Sequence, residues 1–175
     1  IIISSVLAVV LIFTFLFRIV SIDGDSMENT LLNEERVVIS NLFYTPKQGD
    51  IVVVSRNTDN SLSNAQSKAP IIKRVIATEG QTVDIKEGYV YVDGKMLIEP
   101  YTKNYELDPA STTDLYDVTF PLVVEKDCIF VLGDNRHESL DSRASVIGKN
   151  GQIDKKYVLG KAVFRIFPFN KMGGI

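Results

Sequence analysis

Residues 83–98 read VDIKEGYVYVDGKMLI. Apolar residues alternate with polar ones, and the pattern breaks at Glu87-Gly88 and Asp93-Gly94. Asp-Gly between alternating apolar residues is a strong hairpin signal, because both turn positions need a positive φ. The stretch therefore predicts three antiparallel strands in a meander. Upstream, IIKRVIA (Ile71–Ala77) and IVVV (Ile51–Val54) are β-branched runs suited to buried strands, and Arg36–Ser40 carries Val37, Val38 and Ile39. Downstream, Phe120–Val124, Ile129–Leu132 and Val158–Phe167 read as further strands. Residues 55–68 are rich in Ser and Asn without periodicity and read as a loop. Residues 99–126, with Pro100, Pro109 and Pro121, read as an irregular excursion that ends in the Phe120–Val124 strand. No internal repeat and no sustained amphipathic helix is present, so the expected fold is mainly β with an antiparallel sheet.

Composition narrows the function. The chain has 175 residues, 45% hydrophobic and 23% charged, with a formal net charge of -3. That balance offers no basic surface for nucleic acid. Cys128 is the single cysteine and His137 the single histidine, so an internal disulfide is excluded and a His/Cys metal site is not expected. No cofactor motif occurs, neither Walker A nor G-x-G-x-x-G. Cys128 adjoins the apolar run Ile129–Leu132 and is expected to be a buried, inert thiol.

Ile1–Phe17 contains no charge, and with Ile19 and Val20 it nearly reaches the roughly 20 residues that cross a bilayer. The run lacks an initiator Met, so a preceding cytoplasmic segment is expected. No small-x-small cleavage site follows; Arg18, Ser21, Ile22 and Asp23 do. Residues 1–20 are therefore expected to be a retained transmembrane helix. The following flank carries Asp23, Asp25 and Glu28 against Arg18, which weakly favours an outside location for the rest of the chain.

Directly after this run, GDSMENTL (Gly24–Leu31) sets Ser26 on a turn. A turn serine often does no more than bond nearby backbone. As a nucleophile it would need a base. Ser26 does not sit in a G-x-S-x-G elbow, because Glu28 stands at the second Gly, and no serine has a lysine three positions on. A Ser-His-Asp triad would require His137. The remaining arrangement is a serine with a distant lysine. Lys73 shares a strand face with Ile71, Val75 and Ala77. It has two readings: a stem that snorkels to the surface, or a desolvated amine able to act as a base.

Four blocks, SMENTL from Ser26, GDIVVV from Gly49, KRVIATEG from Lys73 and GDNRHESLDSR from Gly133, together resemble the bacterial type I signal peptidases of the single-anchor kind. The resemblance implies an antiparallel β-sheet catalytic core (21–83 and 128–175), a smaller β insertion (84–127) and one transmembrane helix (1–20). It implies Ser26 as nucleophile and Lys73 as general base. Ser139 would orient the amine, Asp141 and Arg143 would form a supporting ion pair, and Gly133 would lie at the floor of the site. It implies no cofactor and no metal. The partners would be secreted preproteins bearing signal peptides and the lipid bilayer, with the catalytic part on the extracytoplasmic face of the cell membrane. Small residues at the first and third positions before the cut would fill shallow apolar pockets. Two positions depart from the family pattern. Asn29 replaces the usual proline of the SMxPTL block, and Gly24 stands where many relatives have a serine that helps bind the oxyanion.

Two other classes share parts of this pattern. A self-cleaving repressor-like Ser-Lys domain expects an Ala-Gly cleavage bond, which this chain lacks. A catalytically dead, membrane-anchored binding module would be expected to lose Ser26 or Lys73, and both are present.

Overall fold

The structure is a computed structural model that describes residues 5, 16–55, 70–102 and 116–175. Twelve strands occur among them. They are β1 (Phe17–Ser21), β2 (Arg36–Ser40), β3 (Ile51–Val54), β4 (Ile71–Thr78), β5 (Thr82–Lys86) and β6 (Tyr89–Val92). They continue with β7 (Lys95–Met96), β8 (Leu122–Val123), β9 (Cys128–Leu132), β10 (Ile153–Asp154), β11 (Val158–Phe167) and β12 (Gly173–Gly174). Eight form one sheet in the order β1-β2-β11-β3-β4-β9-β10, with β12 paired to β11. The other four form a second sheet, β7-β6-β5-β8. Every strand pair is antiparallel.

The β-branched runs lie where two-sided burial demands them. All four residues of β3 are buried. Because side chains alternate faces, Ile51 and Val53 pack with Ile22, Met27, Leu31, Val37 and Ile39. Val52 and Val54 pack on the other face with Val75, Ile129, Val131 and Ile153. Each such side chain contributes about 1.5–3 kcal/mol of burial free energy. The turns of the meander take the backbone their sequence calls for, with φ of 51° and 83° at Glu87-Gly88 and 51° and 75° at Asp93-Gly94.

Two expectations meet a different structure. The end of the apolar run is not helical: Phe17–Val20 belong to β1, which pairs with β2 in full register. The transmembrane helix expected before it falls almost wholly on residues outside those described. Among the described residues no helix is long and apolar enough to cross a membrane. Val83 pairs with Val92 in the second sheet, as the meander predicts. That second sheet shares its core with the first: Val83, Val90, Val92 and Val124 pack on Ile76, Ala77, Phe130 and Leu132. Cys128 is half-buried, and burial, with Asp154 and Glu125 nearby, pushes its thiol pKa up. It is thus a protonated, poorly nucleophilic group.

Candidate active site

Ser26 lies in the irregular turn between β1 and β2. Main-chain bonds Glu28 N to Asp25 O (3.0 Å), Thr30 N to Met27 O (3.0 Å) and Leu31 N to Met27 O (2.8 Å) shape that turn. Met27 and Leu31 are fully buried and pin it to the core under β3. Ser26 itself stays half-buried.

Lys73 comes to it from β4. It pairs with Val52 across the sheet and is 3% exposed, so the snorkelling reading does not hold. Its Nζ donates to Ser26 Oγ at 2.6 Å and to Ile72 O at 3.0 Å. A cleft of about 80 Å³ opens over the pair, lined by Val20, Val53, Ile71 and Ile72 and by the polar Ser21 and Asp23. The next residue, Arg74, points to the opposite face, as alternation requires. It forms a bidentate pair with Asp134 at 2.8 and 2.7 Å. Asp134 also accepts from Thr30 Oγ1, four residues beyond the serine.

The Gly133–Arg143 segment backs this turn. Asn135 N donates to Ser26 O at 3.0 Å, and its side chain donates to Asp25 O at 3.2 Å. Gly133 packs so closely that a Cβ there would come within 2.5 Å of Ser26 O and 2.2 Å of Ser139 Oγ. Only glycine fits. Asp141 is fully buried and accepts from Arg143 Nε (2.8 Å), Arg143 Nη2 (2.9 Å) and Gly133 N (3.0 Å). Burial alone would raise the Asp141 pKa, but the Arg143 charge and these hydrogen bonds outweigh it and hold the carboxyl below its usual range. Arg143 in turn stacks on Tyr116, 4.0 Å from the ring centre. Ser139 Oγ is buried beside Gly133, and Ser139 helps to hold the Asp141 carboxyl below its usual range.

The structure brings together the serine, the lysine and the backing loop named from the sequence. The sequence reading assigned no role to Thr30, Arg74, Asp134 or Asn135. The one signal available was that Arg74 adjoins Lys73 in an otherwise apolar strand and so had to find a partner on the other face.

The two departures from the family pattern have a structural reading. Asn29 has a φ of 81° and Gly24 a φ of 93°. Proline is locked near -65° and cannot occupy the first conformation. Asn29→Pro is therefore expected to destabilise the protein by more than about 1 kcal/mol. Asn29→Gly should stay within about 1 kcal/mol of wild type. Thermal unfolding of both variants checks this, and a proline variant that melts higher than wild type would contradict this turn geometry. A serine at Gly24 would be strained for the same backbone reason, although open space surrounds the position.

A sequence profile for the family described as "Signal peptidase, peptidase S26" matches residues 1–167. Signal peptidase I of Bacillus amyloliquefaciens is 37% identical over 178 residues, covering 98% of this chain and 87% of the relative. Signal peptidase I of Bacillus licheniformis is 38% identical, covering 98% and 88%. Signal peptidase I T of Bacillus subtilis is 35% identical, covering 98% and 84%.

Proposed function

The chain belongs to the S26 family of signal peptidases and is a serine endopeptidase, and on that premise we propose that Ser26 and Lys73 form the dyad with which it removes signal peptides from preproteins. The 2.6 Å contact between Lys73 Nζ and Ser26 Oγ is the observation that carries this reading. Once the amine is neutral, the same contact passes the hydroxyl proton to Nζ. Oγ then attacks the scissile carbonyl, and the oxyanion is expected to be met by the Ser26 N–H. The proton moves from Nζ to the leaving amine as the C–N bond breaks, leaving an ester on Ser26. Lys73 next deprotonates a water, which hydrolyses the ester and frees Ser26. Asp141 and Arg143 keep the backing loop rigid, and Ser139 packs against Gly133 beside the serine.

The reading extends to the membrane. We expect residues preceding β1 to anchor the chain in the cell membrane, with the catalytic part outside the cytoplasm. A preprotein is tethered there by its own apolar segment, so both reactants share one surface and a raised effective concentration. An extended substrate segment would lie along the cleft by backbone hydrogen bonds, its side chains filling pockets.

The apolar walls of Val20, Val53, Ile71 and Ile72 and the small cleft volume favour a small apolar side chain before the cut. The test is incubation with a preprotein carrying Ala at the first and third positions before the cleavage point, then N-terminal sequencing of the product. A single new N-terminus after the first Ala is expected. A substrate with Phe at that position should be processed at least about 100-fold more slowly, since a buried misfit in a close-packed pocket costs several kcal/mol. Equal rates on the two substrates would rule out a pocket of this kind.

A further inference from the structure

We propose that Glu99 is a positioning residue, delivered from the segment after β7, that holds the backing turn under Ser26 through Arg136. The turn closed by Thr102 N to Glu99 O (3.1 Å) and Thr102 Oγ1 to Glu99 O (2.9 Å) drives Glu99 into the interior, where it is 5% exposed. There its carboxylate forms a two-pronged pair with Arg136, Nη1 to Oε2 at 2.8 Å and Nη2 to Oε1 at 2.5 Å. Tyr101 Oη adds a third bond to Oε1 at 2.9 Å.

Arg136 is 2% exposed, and the forked pair fixes its guanidinium in one orientation. That orientation leaves Nε free to donate to Gly133 O at 3.0 Å. The turn so clamped presents Asn135 N to Ser26 O at 3.0 Å. A second branch runs through Tyr101, whose ring lies 3.8 Å under the Arg74 guanidinium. Arg74 holds Asp134, and Asp134 holds Thr30 of the serine turn. Residues 99–101 thus touch both supports of the nucleophile without reaching the reacting atoms.

A buried carboxylate with three donors is more than packing needs, since well-packed apolar residues would fill the space at no loss of stability. What an apolar pair cannot do is set the guanidinium so that Nε meets Gly133 O. The catalytic part of this inference rests on Ser26 being the nucleophile; the structural part does not.

Two variants separate the roles. Glu99→Gln keeps the shape but turns an amide toward the guanidinium. Arg136→Lys keeps the charge pair but cannot also bond Gly133 O. Both are expected to lower kcat about 10- to 100-fold, with KM within about twofold, because a small misplacement of a reacting group costs this much. The kcat is taken per folded molecule, so partial unfolding does not enter it. Amide hydrogen exchange gives a readout independent of peptidase activity. The Asn135 amide should exchange at least about tenfold faster in both variants, with β3 and β4 amides unchanged. Wild-type kcat and wild-type Asn135 exchange in both variants would overturn the proposal, as would an effect confined to KM. Faster Asn135 exchange in a protein whose wild type cleaves no preprotein would uphold the positioning role and refute the dyad reading instead.

Discussion

Ser26→Ala is expected to lose at least about 10⁴-fold in kcat/KM for preprotein cleavage, the scale on which removing a nucleophile acts. The fold should survive. The serine is half-buried, and its turn is held by main-chain bonds and by the buried side chains of Met27 and Leu31, none of which involves Oγ. Stability should therefore stay within about 1 kcal/mol of wild type. Lys73 loses one partner but keeps Ile72 O. Single-turnover processing and a thermal melt on the same preparation check both halves. A folded Ser26→Ala protein that cuts at close to the wild-type rate would remove the mechanism.

Lys73→Arg should also be severely damaging, for a different reason. A guanidinium stays protonated at any working pH, so it cannot accept the Ser26 proton. It is also bulkier than the amine at a site only 3% exposed. Lys73→Met removes the amine while keeping most of the volume and should fold well, since it takes a cationic group out of the interior. Both variants are expected to fall at least about 10³-fold in kcat. Activity surviving in a folded Lys73→Arg or Lys73→Met protein would show that another group is the base.

The strands were legible because their burial leaves a direct mark on the sequence. Two-sided burial gives the unbroken run of β3 and the apolar residues on either side of Lys73-Arg74 in β4, and the positive-φ turns of the meander need residues such as the glycines at 88 and 94. Strand β1 was misread because FRIVS continues an apolar run, and periodicity cannot tell the end of a helix from an edge strand. Strands β10 and β12 have two residues each, too short to show any pattern. Ser26 and Lys73 could be paired by excluding other chemistries. Their supports could not: Arg74 meets Asp134 60 positions away, Arg136 meets Glu99 37 positions away, and Thr30 meets Asp134 104 positions away. Such pairings are made by topology, and no local spacing encodes them.

If a neutral Lys73 amine takes the Ser26 proton, kcat/KM must follow the ionisation of that amine as pH changes. A free lysine has a pKa of ~10.4, and burial disfavours its charged form. Asp141 is occupied by Arg143 and the Gly133 N–H, and Asp23, the carboxylate that lines the cleft with Lys73, is exposed, so solvent screens its opposition. The account predicts that kcat/KM measured from about pH 5 to 10 climbs with unit slope and levels off below the ionisation of free lysine. A flat profile over that range would contradict it.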